Sequence, residues 1–445
     1  MDQREAWSSK IGFILAVTGA AVGLGNLWKF PYMVGSHGGS AFLVLYIISV
    51  FIVGIPLMLA EMILGRLGRP SIYGTLKVLK KRYAISARWQ GLVWLCMLTL
   101  MLIFSFYNVV AGWSLSYLFQ SLTGNLAVSS DAIHQQWQGL LQSPLQLIIC
   151  HLLFLVMTLG VVWYGVQKGI ERLSRWMMPI LLVVLIGLVG MAMQTSGFEQ
   201  ALYFLFDFRW QSVTPAVACS ALGHAFFTLA VGAGCMLNYG AHLHKNDQLL
   251  SCIAVIIFLD VTVALLAGLA IFPWVMSQSI QITSGPGLMF QALPLAFAHV
   301  DIGYLLAPFF FLLLWFAALT SSVSLAEPLV AFLMDYFGIS RSSAIYLLGV
   351  VIAIVSTFLA LSFNVFQSFS IFGLDGFTCV TDLATNWLLP LGGLGFAYLS
   401  GWKLPLAAWQ QALAGSLPCI VQCWYRLLKW VAPLAIIIIL SQSLI

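Results

Sequence analysis

The chain has 445 residues, of which 61% are hydrophobic and only 7% are charged, and its formal net charge is +5. A soluble domain has about 25% charged residues, so this composition excludes an ordinary soluble globular protein. Apolar runs of about 20 residues, long enough to cross a bilayer as a helix, recur along the whole chain. These runs are continuous rather than alternating, which excludes a transmembrane barrel. The composition therefore predicts an all-α polytopic membrane protein.

Eleven apolar runs predict eleven transmembrane helices, which we call spans 1 to 11 in chain order. Their predicted bounds are 10–36, 40–67, 88–121, 145–164, 174–194, 214–240, 248–276, 304–334, 342–362, 374–400 and 420–443. Because the spans must pack against one another within the bilayer, we expect a single transmembrane domain over residues 1–445.

The basic residues predict the orientation of this bundle. If the N-terminus is cytoplasmic, 17 of the 19 Lys and Arg residues fall on the cytoplasmic side, and only Lys29 and Arg209 do not. Cytoplasmic loops carry such an excess of basic residues. We therefore expect a multi-pass protein of the plasma membrane, the inner membrane of a bacterium, with its N-terminus inside. The net charge then reflects these loops and does not indicate a nucleic-acid partner.

The first apolar run is predicted to be a span rather than a cleaved signal peptide. It contains glycines, Asn26 and Lys29, and it lacks a convincing cleavage site. The eight cysteines are scattered and lie mostly inside spans. Cys419 and Cys423 fall on one helix face, but no second Cys or His pair completes a zinc site. We interpret the cysteines as small core residues.

The string AVGLGN, from Ala21 to Asn26, places two glycines and an asparagine in the middle of span 1. Glycine costs about 1 kcal/mol relative to alanine inside a helix, so the string favours an interruption. A break inside a bilayer frees backbone groups, which is tolerable when they line a cavity and bind something. Freed carbonyls suit a hard cation, and the N-terminus of a half-helix suits a carboxylate. The alternative is close helix packing through Gly-x-x-x-Gly spacing.

A similar string, AVGAGC from Ala230 to Cys235, lies in span 6. Interrupted helices at corresponding positions of two halves point to a transporter binding site. Each half has five spans, an odd number, so the second half crosses the membrane in the opposite sense. We therefore predict an inverted repeat of residues 1–194 and 195–400, with residues 401–445 adding span 11.

Longer motifs closely resemble the neurotransmitter:sodium symporter family, in particular its bacterial amino-acid branch. They are Trp7 and GAAVGLGNLWKFPY (19–32), GIPLMLAEMILGR (54–66), AFFTLAVGAG (225–234), LTSSVSLAEPLVAFLMD (319–335) and NWLLPLGG (386–393). The resemblance covers essentially the whole chain in order, and the first motif is highly specific. It implies the LeuT-type 5+5 inverted-repeat fold with broken helices 1 and 6 and eleven transmembrane helices.

The resemblance also implies two sodium sites. The first would use the Ala21 carbonyl, the Asn26 amide oxygen and the side chains of Thr228 and Asp260. The second would use oxygen atoms of Gly19, Val22, Ala317, Thr320 and Ser321. All of these are oxygen donors, which a hard cation requires. The hydroxyls of span 8 could instead bond back to their own helix.

Asp260 stands where the family usually has asparagine. A carboxylate in the middle of a span is costly and is a functional hypothesis by default. It could bind sodium directly, or it could supply the fixed negative charge that chloride provides in animal members. We therefore expect transport that does not need chloride. The alternative is a protonated structural aspartate bonded to a neighbour.

The substrate class follows from Gly23, because monoamine-carrying relatives have an aspartate there and this chain has no acid between Lys10 and Glu61. The substrate is therefore expected to bring its own carboxylate, held by sodium, a half-helix N-terminus and Tyr107. The small Ala233 favours a large hydrophobic or aromatic amino acid. The implied substrate site comprises Ala21, Gly23, Leu24, Gly25, Ile103, Tyr107, Phe227, Thr228, Ala230, Ala233, Ser322 and Leu325.

Two gates are implied. Outside, Phe227 and Tyr107 would cover the substrate, and Lys29 would face Asp382 or Asp375. Inside, Arg4 and Asp335 would form an ion pair capped by Trp7. Glu61 and Glu327 are interpreted as structural residues that satisfy neighbouring groups.

The function that the resemblance implies is sodium-coupled import of a neutral L-amino acid by alternating access, without enzymatic activity. The implied partners are the amino acid, sodium ions and the bilayer. A sensor that binds substrate without moving it is an alternative on the same fold. An intramembrane enzyme is another, but the seven histidines are dispersed and no nucleophile is paired with a base.

Overall fold

The computed structural model describes residues 6–244, 247–278, 285–371 and 373–442. In chain order its helical segments are Lys10–Ala21, Gly25–Ser36, Ser40–Leu67, Ile72–Tyr83, Ala87–Leu122, Ser130–Leu141, Pro144–Trp163, Val166–Ala192, Phe198–Phe206, Trp210–Ser212, Pro215–Thr228, Cys235–Ala241, Leu249–Ser277, Leu288–Ala298, Gly303–Phe337, Arg341–Leu361, residues 376–403, Leu406–Ala412 and Pro418–Gln442. A short antiparallel hairpin pairs Ser370–Ile371 with Leu374–Asp375. The protein is therefore mostly helical, as predicted.

Span 1 consists of two helices. The first begins after Ser9, whose hydroxyl accepts a hydrogen bond from the Gly12 amide at 3.0 Å, and it ends at Ala21. The second covers Gly25–Ser36, and its axis is bent by 46° from the first. The bend falls within the AVGLGN string, where glycine weakens the helix.

Span 6 is divided more widely. Its helices are Pro215–Thr228 and Cys235–Ala241, and residues 229–234 between them are not helical. Three residues there have a positive φ: Ala230 at 49°, Gly232 at 96° and Gly234 at 84°. Glycine adopts such angles without steric cost, which explains two glycines in this string. The alanine is in a conformation that L-residues adopt rarely.

Nine candidate membrane spans are found among the described residues, counting the bent pair of span 1 as one. They correspond to predicted spans 1 to 5, 7 to 9 and 11. Each half of span 6 is too short to cross a membrane alone, and the helical residues 376–403 at span 10 do not meet the same test. The count of eleven therefore stays a prediction.

The core of the bundle is built around spans 3 and 8. In their most apolar windows 72% and 78% of the residues are buried, against 33% in spans 4 and 5 and 22% in span 11. Spans 3 and 8 pack against each other and flank the break of span 1. Peripheral spans carry large exposed apolar side chains instead, as a lipid-facing surface requires.

The cysteines do not all lie in the core. Cys96, Cys235 and Cys252 are buried, but Cys419 and Cys423 at the start of span 11 are exposed. The prediction of small core residues is therefore wrong for these two. The physical reason is that the first turns of span 11 bury only Val421 against the bundle.

Candidate functional site

A cavity lies where the breaks of spans 1 and 6 meet spans 3 and 8. Nine of the twelve predicted substrate residues line it: Ala21, Gly23, Gly25, Ile103, Tyr107, Phe227, Ala230, Ala233 and Leu325. Its other lining residues are Ala20, Cys235, Ser321, Ser324 and Leu389. No Asp, Glu, Lys or Arg is among the lining residues, so the wall of this cavity is mainly apolar.

Three predicted substrate residues do not line the cavity. Leu24 is fully buried, but its amide donates a hydrogen bond to the Tyr107 hydroxyl at 3.1 Å. Thr228 turns towards Asp260 and Asn26. Ser322 faces away, with its hydroxyl 2.8 Å from the Thr158 hydroxyl of span 4. Ser322 was expected in the substrate site but does not face the cavity. It lies about 100° around the axis of span 8 from Ser321, which does line the cavity.

Gly23 is packed too closely for any side chain. A Cβ added there would clash with Ser321 Oγ and would lie 2.7 Å from the Tyr107 hydroxyl. Tyr107 is buried, and its hydroxyl reaches the backbone at the start of the second half of span 1. The positive end of that half-helix therefore meets the cavity beside a hydroxyl group, an arrangement that suits an anionic group.

The predicted first sodium site is a buried polar cluster. The Asn26 amide nitrogen donates to Asp260 Oδ1 at 2.9 Å, and the Thr228 hydroxyl lies 2.9 Å from Asn26 Oδ1 and 3.2 Å from Asp260 Oδ1. The Tyr46 hydroxyl donates to Asp260 Oδ2 at 3.0 Å. Asp260 is fully buried, so its carboxylate is held by three side chains. Ala21, the remaining predicted ligand, lines the adjacent cavity.

The predicted second sodium site joins the end of the first helix of span 1 to span 8. Ser321 Oγ lies 3.0 Å from the Gly19 carbonyl and 3.5 Å from the Val22 carbonyl. Thr320 donates to the Ala317 carbonyl at 3.1 Å within its own helix. A Cβ on Gly19 would lie 3.2 Å from Thr320 Cβ, so the two helices are in close contact.

Both donor sets fit a sodium ion by their chemistry. The first offers a carboxylate, an amide oxygen and a hydroxyl, and the second offers carbonyl and hydroxyl oxygens. Hard cations take oxygen ligands of these kinds. The first set carries a formal negative charge and the second is neutral, so the first would hold a cation more strongly at low dielectric.

The broken stretch of span 6 is held by Glu61 of span 2. The Gly232 amide donates to Glu61 Oε1 at 2.5 Å, and the glutamate is fully buried. Glu327 of span 8 forms an ion pair with Arg341, whose Nη1 lies 3.0 Å from Oε1. Both glutamates therefore satisfy neighbouring groups, which confirms their interpretation as structural residues.

At the predicted outer gate, Lys29 does not form an ion pair with either acid. Among the described residues its Nζ lies over the Phe227 ring, 4.4 Å from the centroid, and no salt bridge links it to Asp382. Asp375 instead caps the helix that begins at Gly376, accepting from the Thr378 amide at 3.0 Å. From the residues that the structure describes, Asp382 accepts one long hydrogen bond, at 3.4 Å from Asn386.

At the predicted inner gate, Arg4 lies outside the described residues. Trp7 is buried, stacks on Tyr239 with centroids 5.3 Å apart, and donates to the Tyr239 carbonyl at 3.1 Å. Asp335 accepts a short hydrogen bond from the Ser71 hydroxyl, at the start of the helix Ile72–Tyr83. Trp7 thus ties the N-terminal segment to the second half of span 6.

Sequence reasoning missed Glu171 at the same end of the molecule. Its carboxylate accepts hydrogen bonds from the Ser8 amide at 2.8 Å and the Ser8 hydroxyl at 2.5 Å, and it pairs with Arg175 at 2.7 Å. The signal available was that Glu171 is the single acid in the basic segment 168–175. It holds the N-terminal segment against span 5.

Tyr46 and His224 were also missed or left without a role. Tyr46 sits in an apolar run and carries no sequence signal that separates it from a core aromatic. His224 packs its ring against Tyr46, Phe30 and Phe42, with centroids 5.2, 5.8 and 6.0 Å away. Neither of its ring nitrogens has a hydrogen-bond partner within the described part of the chain.

Comparison with known proteins identifies the class of molecule that this fold and site define. The model of the sodium:neurotransmitter symporter family matches residues 4–140 and 132–445. The chain belongs to this family, and it is a membrane transporter of the sodium-dependent type.

Similar proteins span nearly the whole chain. It is 36% identical to the uncharacterised sodium-dependent transporter YhdH of Bacillus subtilis, over 97% of this chain and 96% of that protein. It is 27% identical to the sodium- and chloride-dependent GABA transporter 2 of Rattus norvegicus, over 84% and 70% respectively. The solved structure of MhsT in complex with L-phenylalanine matches with a TM-score of 0.90 at 36% identity, covering 99% of this chain and all of that one. This similarity confirms the predicted fold class.

Proposed function

We propose that the protein is a symporter that couples sodium entry to the import of a neutral, large hydrophobic or aromatic L-amino acid, without a need for chloride. The observation that carries this proposal is the apolar cavity between the two helix breaks, bordered by oxygen clusters that suit sodium. A transporter needs substrate and ion sites in contact at the middle of the bundle.

The polar end of the cavity supports an amino acid rather than an amine. Its lining contains no carboxylate that could pair with a substrate ammonium group. The half-helix that begins at Gly25, together with Tyr107 and a sodium ion at the first site, would bind a carboxylate. A substrate ammonium would then be held by freed carbonyl groups of the breaks.

The apolar end supports a large side chain. Ile103, Phe227, Ala233, Leu325 and Leu389 line it, and a charged substrate side chain would meet no partner there. MhsT, similar along its whole length, has been solved with L-phenylalanine, and this supports an aromatic or large aliphatic substrate here.

The mechanism that we propose uses the two ion sites as ties between moving parts. Sodium at the second site would join span 1 to span 8, and sodium at the first would join spans 1, 6 and 7 through Asn26, Thr228 and Asp260. Ion binding would hold the halves of span 1 in place and complete the substrate site. Rocking of one group of helices against the other, around the fixed site, would then expose the site inwards, with the N-terminus in the cytoplasm.

Asp260 supports the independence from chloride. Its carboxylate lies within the first ion cluster and accepts a hydrogen bond from Tyr46 at 3.0 Å. A fixed negative charge at this point makes a bound anion unnecessary, because the charge of the sodium is already balanced.

Uptake by proteoliposomes tests the proposal. Labelled amino acids would be supplied with an inward sodium gradient, and chloride would be replaced by gluconate. We expect sodium-dependent uptake of phenylalanine, leucine or a similar amino acid, equal in chloride and gluconate. A lack of binding by every amino acid contradicts the substrate class. Binding without uptake or counterflow would identify a sensor instead.

A further inference from the structure

A second pocket lies at the end of the bundle where span 4 ends and span 5 begins, away from the substrate cavity. Its lining residues include Ser8, Lys168, Glu171, Arg172, Arg175 and Trp176. All except Ser8 come from the first three turns of the helix Val166–Ala192. The pocket therefore joins the N-terminal segment to the surface of span 5.

The charges of this pocket do not balance. Glu171 is its one acid, and this buried carboxylate is already used by Ser8 and Arg175. Lys168 and Arg172 are exposed, and among the described residues neither forms a salt bridge with a carboxylate. Two positive charges thus remain available to an anion that approaches from outside the protein.

Exposed aromatic residues mark the level of the membrane surface at this pocket. Trp163 and Tyr164 end span 4, and Trp176 lies one turn beyond Arg172, with exposed fractions of 42%, 67% and 68%. Trp and Tyr are enriched where a bilayer meets water. The basic residues therefore lie at the depth of lipid headgroups.

An apolar stripe continues from the pocket along span 5. Trp176, Ile180 and Val183 are spaced by four and three residues, so they lie on one side of the helix. Ile180 is 42% exposed and Val183 is 70% exposed, and no described segment covers either side chain. A molecule with an anionic head and hydrocarbon tails matches this order of a basic pocket, an aromatic belt and an apolar stripe.

We propose that this pocket binds the headgroup of an anionic phospholipid from the leaflet that faces this end of the bundle. The phosphate contacts Lys168 and Arg172, whose guanidinium can bind two phosphate oxygens at once. The acyl chains lie along Trp176, Ile180 and Val183. Basic residues at the cytoplasmic end of a transmembrane helix attract anionic headgroups.

A lipid bound in this pocket would lie beside the contact that holds the N-terminal segment to span 5. Ser8 borders the pocket and is also bonded to Glu171. A headgroup held by Lys168 and Arg172 therefore packs beside this contact and favours the form in which Ser8 stays bound to span 5. Anionic lipid is expected to raise the unfolding temperature of the protein, because it binds the folded state.

The test is a lipid titration of the purified full-length protein in a neutral detergent. Phosphatidylglycerol is compared with phosphatidylcholine of the same acyl chains, with bound lipid counted by native mass spectrometry and stability followed by thermal unfolding. We expect phosphatidylglycerol to bind more tightly. The double variant Lys168→Gln/Arg172→Gln should weaken its binding by roughly 30-fold, since the two basic residues near a headgroup together contribute about 2 kcal/mol.

The matched control is Lys80→Gln/Lys81→Gln, which removes two exposed positive charges from the helix Ile72–Tyr83. It should leave the affinity for phosphatidylglycerol unchanged, and Lys168→Arg should retain it. An equal loss in the control would show general attraction of charge and would overturn the proposal. Equal binding of phosphatidylcholine, or equal stabilisation by inorganic phosphate or glycerol 3-phosphate, would overturn the assignment to an anionic lipid. None of these readouts depends on transport.

Discussion

The two helix breaks face one cavity but are held in different ways. In span 1 only residues 22–24 separate the two helices, none of them has a positive φ, and the carbonyls at the break meet Ser321 of span 8. In span 6 six residues intervene, three with positive φ, and a buried carboxylate binds the backbone from span 2. The same kind of string, AVGLG or AVGAG, therefore serves two purposes. Both breaks line the cavity, but carbonyl oxygens at the first meet a hydroxyl of span 8, whereas the backbone of the second donates to a carboxylate of span 2.

Substitution of Asp260, the side chain that links both breaks, should have the largest effect on sodium binding. Asp260 contacts Asn26 just after the first break and Thr228 just before the second. Asp260→Asn removes the charge, and we expect sodium affinity to fall by roughly 100-fold, because losing one partner of a buried charge pair costs about 3 kcal/mol. The fall in sodium affinity is measured as the sodium dependence of uptake. Added chloride should restore part of the uptake. Asp301→Asn, at an exposed site, is the control. Unchanged uptake in gluconate would refute the role of this charge.

Glu61→Ala should affect the second break alone. The Gly232 amide would lose its acceptor while buried, which costs about 1–3 kcal/mol in the free energy of unfolding. Thermal unfolding in detergent measures the loss. Glu61→Gln keeps an acceptor oxygen and should lose less. If Glu61→Ala is as stable as the parent protein, the carboxylate does not hold span 6.

Ser321→Ala should affect the first break alone. Its hydroxyl contacts the Gly19 carbonyl, so its loss should raise the sodium concentration for half-maximal uptake by about tenfold. The neighbouring Ser322→Ala is a control of identical chemistry, because that hydroxyl contacts Thr158 instead. Sodium dependence that shifts equally in the two variants would argue against the second ion site.

The smallest expected effect concerns the strained alanine in span 6. Ala230 has a φ of 49°, and Ala230→Gly relieves that conformation while making the unfolded chain more flexible. We expect a net gain of about 0.5 kcal/mol in the free energy of unfolding. Ala233→Gly, in the same break but without a positive φ, should instead be destabilising. Equal changes in both variants would mean that the backbone at Ala230 is not strained.

The interruptions of spans 1 and 6 could be predicted from the sequence because glycine strings are local signals. Gly23 lies in such a string and lines the cavity, whereas Tyr107 and Phe227, which also line it, were expected there from the resemblance to the family. Ser322 was misplaced, although the helical period that puts Ser321 and Ser324 on one face would have excluded it.

Other features depend on tertiary contacts that no local pattern encodes. Tyr46 of span 2 donates a hydrogen bond to Asp260 of span 7. In the sequence, an aromatic residue in an apolar run cannot be distinguished from an ordinary core residue. The contact of Lys29 with Phe227 depends on the direction that a flexible side chain takes. The sequence predicts the contact of Glu171 in part. It shows that Glu171 is the single acid in a basic segment, but it does not show that Ser8 is the partner.

The exposed cysteine pair at the start of span 11 makes this molecule convenient for spectroscopic distance measurement. Cys419 and Cys423 are one helical turn apart and accessible, while none of the other six cysteines is exposed to the same extent. A bifunctional spin label attached at both sulfurs would be immobile relative to its helix. It would supply a fixed reference on a peripheral span, against which the displacement of a second label near Trp7 could be followed as the inner end opens.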